Sequence, residues 1–278
     1  MSNPPILAGV VGWPVTYSLS PVIHSTWAHR AGINGYYVPV AVPPSEDEFR
    51  QIINGLRRVR FAGVNVTKPH KENALRLADE ASEIAKKAGA ANMLTFQKDH
   101  IYADNSDVVG FANAVKEQST NPGIHGLVLG AGGAARGIIL ALQSLGLKKI
   151  TITNRTREKA EALADEFSLD VVDWDRRSNN LDTADILVNT TSLGMTGQPS
   201  LEIDLNTLKP KSIVADIVYS PLETPLLKAA SSQHTIDGLS MLMHQAVPGF
   251  KQWFGGTGIV DAALKQTLLT EIKRRETA

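Results

Sequence analysis

A two-domain α/β fold is predicted by three features of this 278-residue sequence. Short apolar runs alternate with helical segments from end to end, as βαβ units require. An apolar strand runs directly into the glycine turn Gly130-Ala131-Gly132-Gly133. Just before that strand, Asn121-Pro122-Gly123 reads as a linker between domains.

In the first half, Ile6–Gly12 reads as a strand, residues 21–31 as a helix and 36–42 as a strand. Ser45-Glu46-Asp47-Glu48 forms a capping box that opens the next helix. A strand follows at 61–67, then helices at 71–79 and 82–88, and a hairpin of 92–96 with 101–103 around Lys98-Asp99-His100. The helix at 109–117 leads to the linker. Beyond it, strands are expected at 126–129, 150–153, 171–174, Ile186–Asn189 and 213–218, with helices such as 158–167 between them. The closing helices begin near Met241 and carry the charged end Lys273-Arg274-Arg275-Glu276. The expected division is one domain at 1–108, completed by 241–278, and a second at 109–240.

Composition narrows the function classes. Lysine plus arginine number 28, as do aspartate plus glutamate, so no basic excess steers the chain onto nucleic acid or an anionic membrane. Small-molecule partners are expected, with the chain a monomer or homodimer. The absence of cysteine excludes disulfides and thiolate nucleophiles and suits a reducing compartment. A cytoplasmic location is expected, because the short apolar run 6–11 has no charged segment before it and no membrane-length run follows. No metal site is expected, since the histidines form no zinc-binding pattern.

The glycine turn gives the sharpest chemical signal. Gly130 permits the tight turn, Gly132 lets the backbone approach a pyrophosphate, and Ala135 takes the third small position. Ala131, Gly133 and Ala134 then open a helix whose N–H groups face an anion. This predicts a Rossmann-type doubly wound domain. The following strand ends in Asn154-Arg155-Thr156, where an NAD site would carry an acidic residue for the ribose hydroxyl. Arginine there accommodates a 2′-phosphate, so NADP(H) is the predicted cofactor, with Asn154, Arg155, Thr156 and Lys159 as its cradle.

Three polar clusters lie in the first half. Tyr17-Ser18-Leu19-Ser20-Pro21 offers two hydroxyls before a helix, which suits a carboxylate. Ser20 before Pro21 equally reads as an ordinary N-cap, whereas Ser18 is required by no cap. In Asn65-Val66-Thr67-Lys68-Pro69-His70-Lys71, the proline stops the strand, Asn65 and Thr67 share a face, and Lys71 begins a helix. A lysine at the positive end of a helix dipole conflicts with a local rule, which marks function. Lys68 reads as a solvated turn residue. The third cluster is Asn92 with Ala103-Asp104-Asn105-Ser106-Asp107, where Asp104, Ser106 or Asp107 could each cap the next helix.

Taken in order, these clusters resemble the shikimate dehydrogenase family over nearly the whole chain. Ser18-Leu19-Ser20-Pro21, Asn65 through Lys71, Asn105-Ser106-Asp107, Gly130 through Arg136, Asn154-Arg155-Thr156, Asn189-Thr190-Thr191-Ser192 and Gly238 through Gln245 match its motifs. Two departures stand beside Asp107: Ser106 where the family usually has threonine, and Val108 where it has glycine. The resemblance implies reduction of 3-dehydroshikimate to shikimate by NADPH, in a cleft between the two domains. It implies Lys71 and Asp107 as the catalytic pair and Ser18 and Ser20 on the substrate carboxylate. Asn65, Thr67, Asn92 and Gln245 would hold its hydroxyls. Tyr219, ending the 213–218 strand, matches the family's carboxylate-side tyrosine, and Thr190 and Gly238 would line the cofactor site. Met241 and Met243 read as core or cleft lining. Two alternatives remain at this level: a quinate/shikimate dehydrogenase with relaxed substrate or cofactor use, and a non-catalytic sensor that binds nucleotide and a shikimate-like acid.

Overall fold

The computed structural model describes residues 4–276 and divides the chain into two compact units. One unit comprises the residues up to Ser106 together with those from Gln245 onward, and the other comprises Asp107–His244. The limits expected from the sequence are 108/109 and 240/241.

The first unit carries a six-stranded sheet in the order β2-β1-β3-β5-β6-β4. Its strands are β1 (Ile6–Gly12), β2 (Gly35–Ala41), β3 (Phe61–Val66), β4 (Glu80–Ala81), β5 (Met93–Phe96) and β6 (Ile101–Asp104). β1 lies parallel between β2 and β3, and β5 runs antiparallel to both β3 and β6. Helices α2 (Glu46–Arg58), α3 (Lys71–Leu77) and α4 (Glu83–Ala88) belong to one core, in which Phe49, Ile53, Val64, Val66 and Leu94 are buried. In a second cluster, Trp27 of α1 (Ser20–Arg30) meets Phe250 with ring centroids 5.2 Å apart, and the Trp253 indole donates to Thr95. Phe250 and Trp253 stand on α9 (Gly238–Phe254), whose last turns belong to this unit.

In the second unit, β7 (His125–Leu129), β8 (Lys149–Thr153), β9 (Asp170–Val171), β10 (Ile186–Asn189), β11 (Ile213–Asp216) and β12 (His234–Ile236) form a wholly parallel sheet. Their order, β9-β8-β7-β10-β11-β12, is the doubly wound one, with the switch point between β7 and β10. Val128 of β7 faces a core shared with α5 (Ser106–Gln118), α6 (Gly133–Ser144) and α7 (Arg157–Phe167), while Leu127 and Leu129 face another containing Leu205, Leu208 and Leu226 of α8 (Pro225–Ala229). Burial on both faces explains why β7 reads as an unbroken apolar run.

Several elements differ from their expected limits for local reasons. The 213–218 strand stops at Asp216, whose Oδ1 accepts the Val218 N–H that would otherwise continue the ladder. Tyr219 therefore lies past the strand. The expected strand at 171–174 shortens to Asp170–Val171, and Trp174 opens a 3₁₀ turn in which Arg177 lies over its ring and donates to its carbonyl. α9 starts at Gly238, before Met241, because Asp237 Oδ1 caps Ser240 N–H at 2.7 Å.

Candidate active site

β3 delivers the central motif and the turn behind it fixes where Lys71 stands. Thr67 N–H donates to Val11 carbonyl at 2.9 Å, and His70 N–H donates back to Thr67 carbonyl at 3.0 Å. The buried His70 ring stacks on Phe49 and sits 2.9 Å from Val42 carbonyl through Nε2 and 3.2 Å from Asn73 Nδ2 through Nδ1. That pairing makes Nε2–H the donor and Nδ1 the acceptor. With His70 so held at the N-cap position, Lys71 is the first residue of α3, half-buried, and its carbonyl accepts Ala91 N–H at 2.9 Å. Thr67 is half-buried on the same segment.

Asn65, Asn92, Ser106 and Gln245, far apart in sequence, form one buried network. Asn65 Nδ2 donates to Asn92 carbonyl at 3.1 Å, and Asn92 Oδ1 accepts from Ser106 N–H at 2.7 Å and Ser106 Oγ at 3.2 Å. Gln245 Oε1 lies 3.4 Å from both Asn92 Nδ2 and Ser106 Oγ. Ser106 thus uses the hydroxyl that a threonine would share. Val108, the other departure, fills the core of the second unit.

The two serines exchange the roles their spacing suggested. Leu19 stands at the N-cap of α1, and Ser20 lies within the helix ahead of Pro21. Ser18 Oγ accepts Ser20 N–H at 3.3 Å, so Ser18 does the capping work and the buried Ser20 hydroxyl is left for other partners. Sequence reasoning missed Tyr37 of β2, whose buried hydroxyl donates to Asn65 Oδ1 at 2.7 Å. Its signal is faint: Tyr36 and Tyr37 are adjacent on one strand, and only the fold decides that Tyr37 faces inward.

In the second unit Asp107 occupies the first turn of α5, beyond the capping position, and is half-buried. Gly130 takes φ +102°, and a Cβ there would come within 2.8 Å of Thr190 Oγ1 and Thr191 Cγ2, so only glycine suits this turn. The surrounding polar groups hold the turn itself. Thr190 Oγ1 donates to Leu129 carbonyl at 2.8 Å, and Asn154 Oδ1 accepts Ala131 N–H at 3.1 Å while its Nδ2 donates to Thr156 carbonyl. Gly238 has a packing role, since a Cβ would lie 2.6 Å from Ile217 carbonyl oxygen. Tyr219 is half-buried in the loop after β11.

A dinucleotide carrying an additional phosphate fits these residues. Around Gly132 and Gly133 a Cβ would meet nothing within 4 Å, leaving open space above the exposed first turn of α6. At the end of β8 the neighbouring cations contrast. Arg157 pairs with Glu161 at 2.7 Å and with Asp173, whereas exposed Arg155 and Lys159 make no ion pair among the described residues. Thr156 stands at the N-cap of α7 without using its side chain there.

A buried anchor also escaped the sequence reading. Asp216 accepts from Asn189 Nδ2 at 3.1 Å, Val218 N–H at 3.1 Å and Thr224 Oγ1 at 2.7 Å, and Asn189 Oδ1 in turn takes Thr191 N–H and Oγ1. It ties together the loops after β10 and β11. Burial raises the Asp216 pKa from its ordinary value, against the lowering effect of these donors. An aspartate closing the apolar run Ile213-Val214-Ala215 was the available signal.

A family model for the shikimate dehydrogenase substrate binding domain matches residues 10–94, and one for shikimate/quinate 5-dehydrogenase matches residues 114–196. The shikimate dehydrogenase (NADP(+)) of Acidiphilium cryptum is 47% identical over 96% of this chain and 96% of its own. The chain belongs to the shikimate dehydrogenase family. Within this family, the solved shikimate 5-dehydrogenase of Thermus thermophilus, in complex with NADP(H) and shikimate, is 31% identical with TM-score 0.85, over 94% of this chain and 98% of that one. A quinate dehydrogenase from Corynebacterium glutamicum in complex with NAD is 30% identical with TM-score 0.88, over 96% and 100% of the two chains. No helix among the described residues is long and apolar enough to cross a membrane. No group of three or more histidine, aspartate or glutamate side chains that could hold a metal occurs among them.

Proposed function

We propose that this chain interconverts 3-dehydroshikimate and shikimate with NADP(H) as its redox partner, a step that serves aromatic amino-acid biosynthesis. The observation carrying this reading is near-full-length similarity to relatives of that activity, with Lys71, Asp107 and Arg155 standing at the matching positions of the motifs. NADPH supplies the hydride when bound, and the remaining work falls to side chains of the protein. Hydride arriving at the ketone carbon builds negative charge on oxygen, which the Lys71 ammonium offsets and to which it can give a proton from Nζ. Asp107 is the second catalytic residue, accepting a hydrogen bond from the reacting hydroxyl, and in the direction of alcohol oxidation the proton returns by the same path to Lys71 in its neutral form. Ser18 and Ser20 meet the substrate carboxylate with Tyr219 on the same side, and Asn65, Thr67, Asn92 and Gln245 orient its hydroxyls. Gly130–Ala134 cradle the pyrophosphate, with Thr190 and Gly238 supporting the site. Arg155, Thr156 and Lys159 take the 2′-phosphate, with Asn154 holding the turn between them. The chain works as a cytoplasmic enzyme on small molecules, as a monomer or homodimer, with no nucleic acid or membrane partner.

Steady-state rates with shikimate or quinate, each with NADP⁺ or NAD⁺, test the reading. Shikimate with NADP⁺ is expected to give the highest kcat/KM. In Arg155→Ala the lost charge-assisted contact, worth about 1.5–3 kcal/mol, raises the NADP⁺ KM roughly tenfold to hundredfold and leaves NAD⁺ kinetics nearly unchanged. Preference for quinate, or equal weakening of both cofactors in the variant, contradicts it.

A further inference from the structure

Tyr37 belongs to none of the motifs, yet its hydroxyl is bonded to Asn65, a motif residue of the first unit. The direction of each hydrogen bond there follows from chemistry. Asn65 Nδ2 is committed to Asn92 carbonyl at 3.1 Å, so its Oδ1, which can only accept, faces Tyr37 at 2.7 Å. The phenol proton therefore points to Asn65. Tyr37 is 4% exposed, and its ring lies flat against the His24 imidazole, with centroids 4.0 Å apart and planes 3° apart. Both His24 nitrogens are buried without a hydrogen-bond partner, so the imidazole serves here as a flat packing surface. The ring of Tyr37 is thus packed against His24 of α1 while its hydroxyl holds the Asn65 amide of β3.

We propose that Tyr37 is a positioning residue of the substrate site, its hydroxyl setting the orientation of the Asn65 amide. The assignment rests on the proposed function, in which Asn65 meets a ring hydroxyl. With its Oδ1 taken by the phenol and one Nδ2 proton by the Asn92 carbonyl, the Asn65 amide has one Nδ2 proton left, in a fixed direction, to meet the substrate.

Tyr37→Phe tests this, because it keeps the ring and its stack on His24 and removes one oxygen. In the full-length enzyme the KM for shikimate is expected to rise about tenfold, with the KM for NADP⁺ unchanged. Placing Tyr37→Phe on Asn65→Ala is expected to add little beyond Asn65→Ala alone, since both act through one hydrogen bond. A lowered melting temperature with an unaltered shikimate KM, or fully additive losses in the double variant, overturns the positioning role. Wild-type enzyme that fails to oxidise shikimate overturns the functional reading, and this proposal with it; a wild type that turns over shikimate normally confines any failure to Tyr37.

Discussion

His24 is fully buried, and the loss of water around it lowers its pKa from 6.5 to about 3. In the unfolded chain the imidazole takes up a proton near its ordinary value, but in the folded protein it stays neutral until far lower pH. The unfolded state thus binds more protons between these values. Stability is full above the unfolded pKa and is lost as pH falls through the window, by about 1.4 kcal/mol per pH unit in its middle. His24→Phe keeps a flat ring against Tyr37 without this linkage. Denaturant unfolding is expected to show wild type losing about 2 kcal/mol more than the variant between about pH 7.5 and pH 5. Equal losses would mean that the imidazole gains no protection from burial. At this scale the candidate residues were legible, because lysine at a helix start and arginine at a strand end defy the common pattern. The supporting partners were not. Whether Tyr37 or Tyr36 faces inward, and whether Ser18 or Ser20 caps α1, depends on which atoms the fold brings within hydrogen-bond reach.

Among the elements, β3 and α9 meet at Gly63, where a Cβ would come within 2.1 Å of Trp253 Nε1 and 2.3 Å of Leu94 carbonyl oxygen. Neither neighbour is free to yield, since the indole is bonded to Thr95 at 3.2 Å and Leu94 lies on a paired strand. Gly63→Ala is expected to destabilise the protein by about 2–3 kcal/mol in urea unfolding, the cost of overpacking a filled core. Wild-type stability in that variant would show that α9 can shift at no cost. The strands with long apolar runs, β1, β3, β7 and β10, were legible from period and composition. β4 and β12, two and three residues long, carry too few side chains to display a period. The early end of β11 was hidden for a different reason: an aspartate side chain replaces a backbone acceptor, and letters alone do not show which acceptor a backbone N–H takes.

Across the whole molecule, the sheet order of the second unit places the glycine turn after β7 and the Asn189–Thr191 corner after β10 at the switch point, where doubly wound folds bind ligands. The sequence foretold that unit well, because its glycine turn and strand-end arginine are local signals. The first unit is harder to read. Its mixed sheet and the return of the chain at Gln245 unite residues 153 positions apart, as between Asn92 and Gln245, and spacing cannot disclose such a meeting. A formal net charge of zero gives no net attraction for anions, so the proposed reading assigns binding to local cations such as Arg155 and Lys71. The most direct test is Lys71→Ala, assayed for shikimate-dependent NADP⁺ reduction alongside NADP⁺ affinity by titration. Turnover is expected to fall about 10²- to 10⁴-fold with cofactor affinity unchanged; turnover close to that of wild type would contradict the assignment of the ammonium to the reacting oxygen.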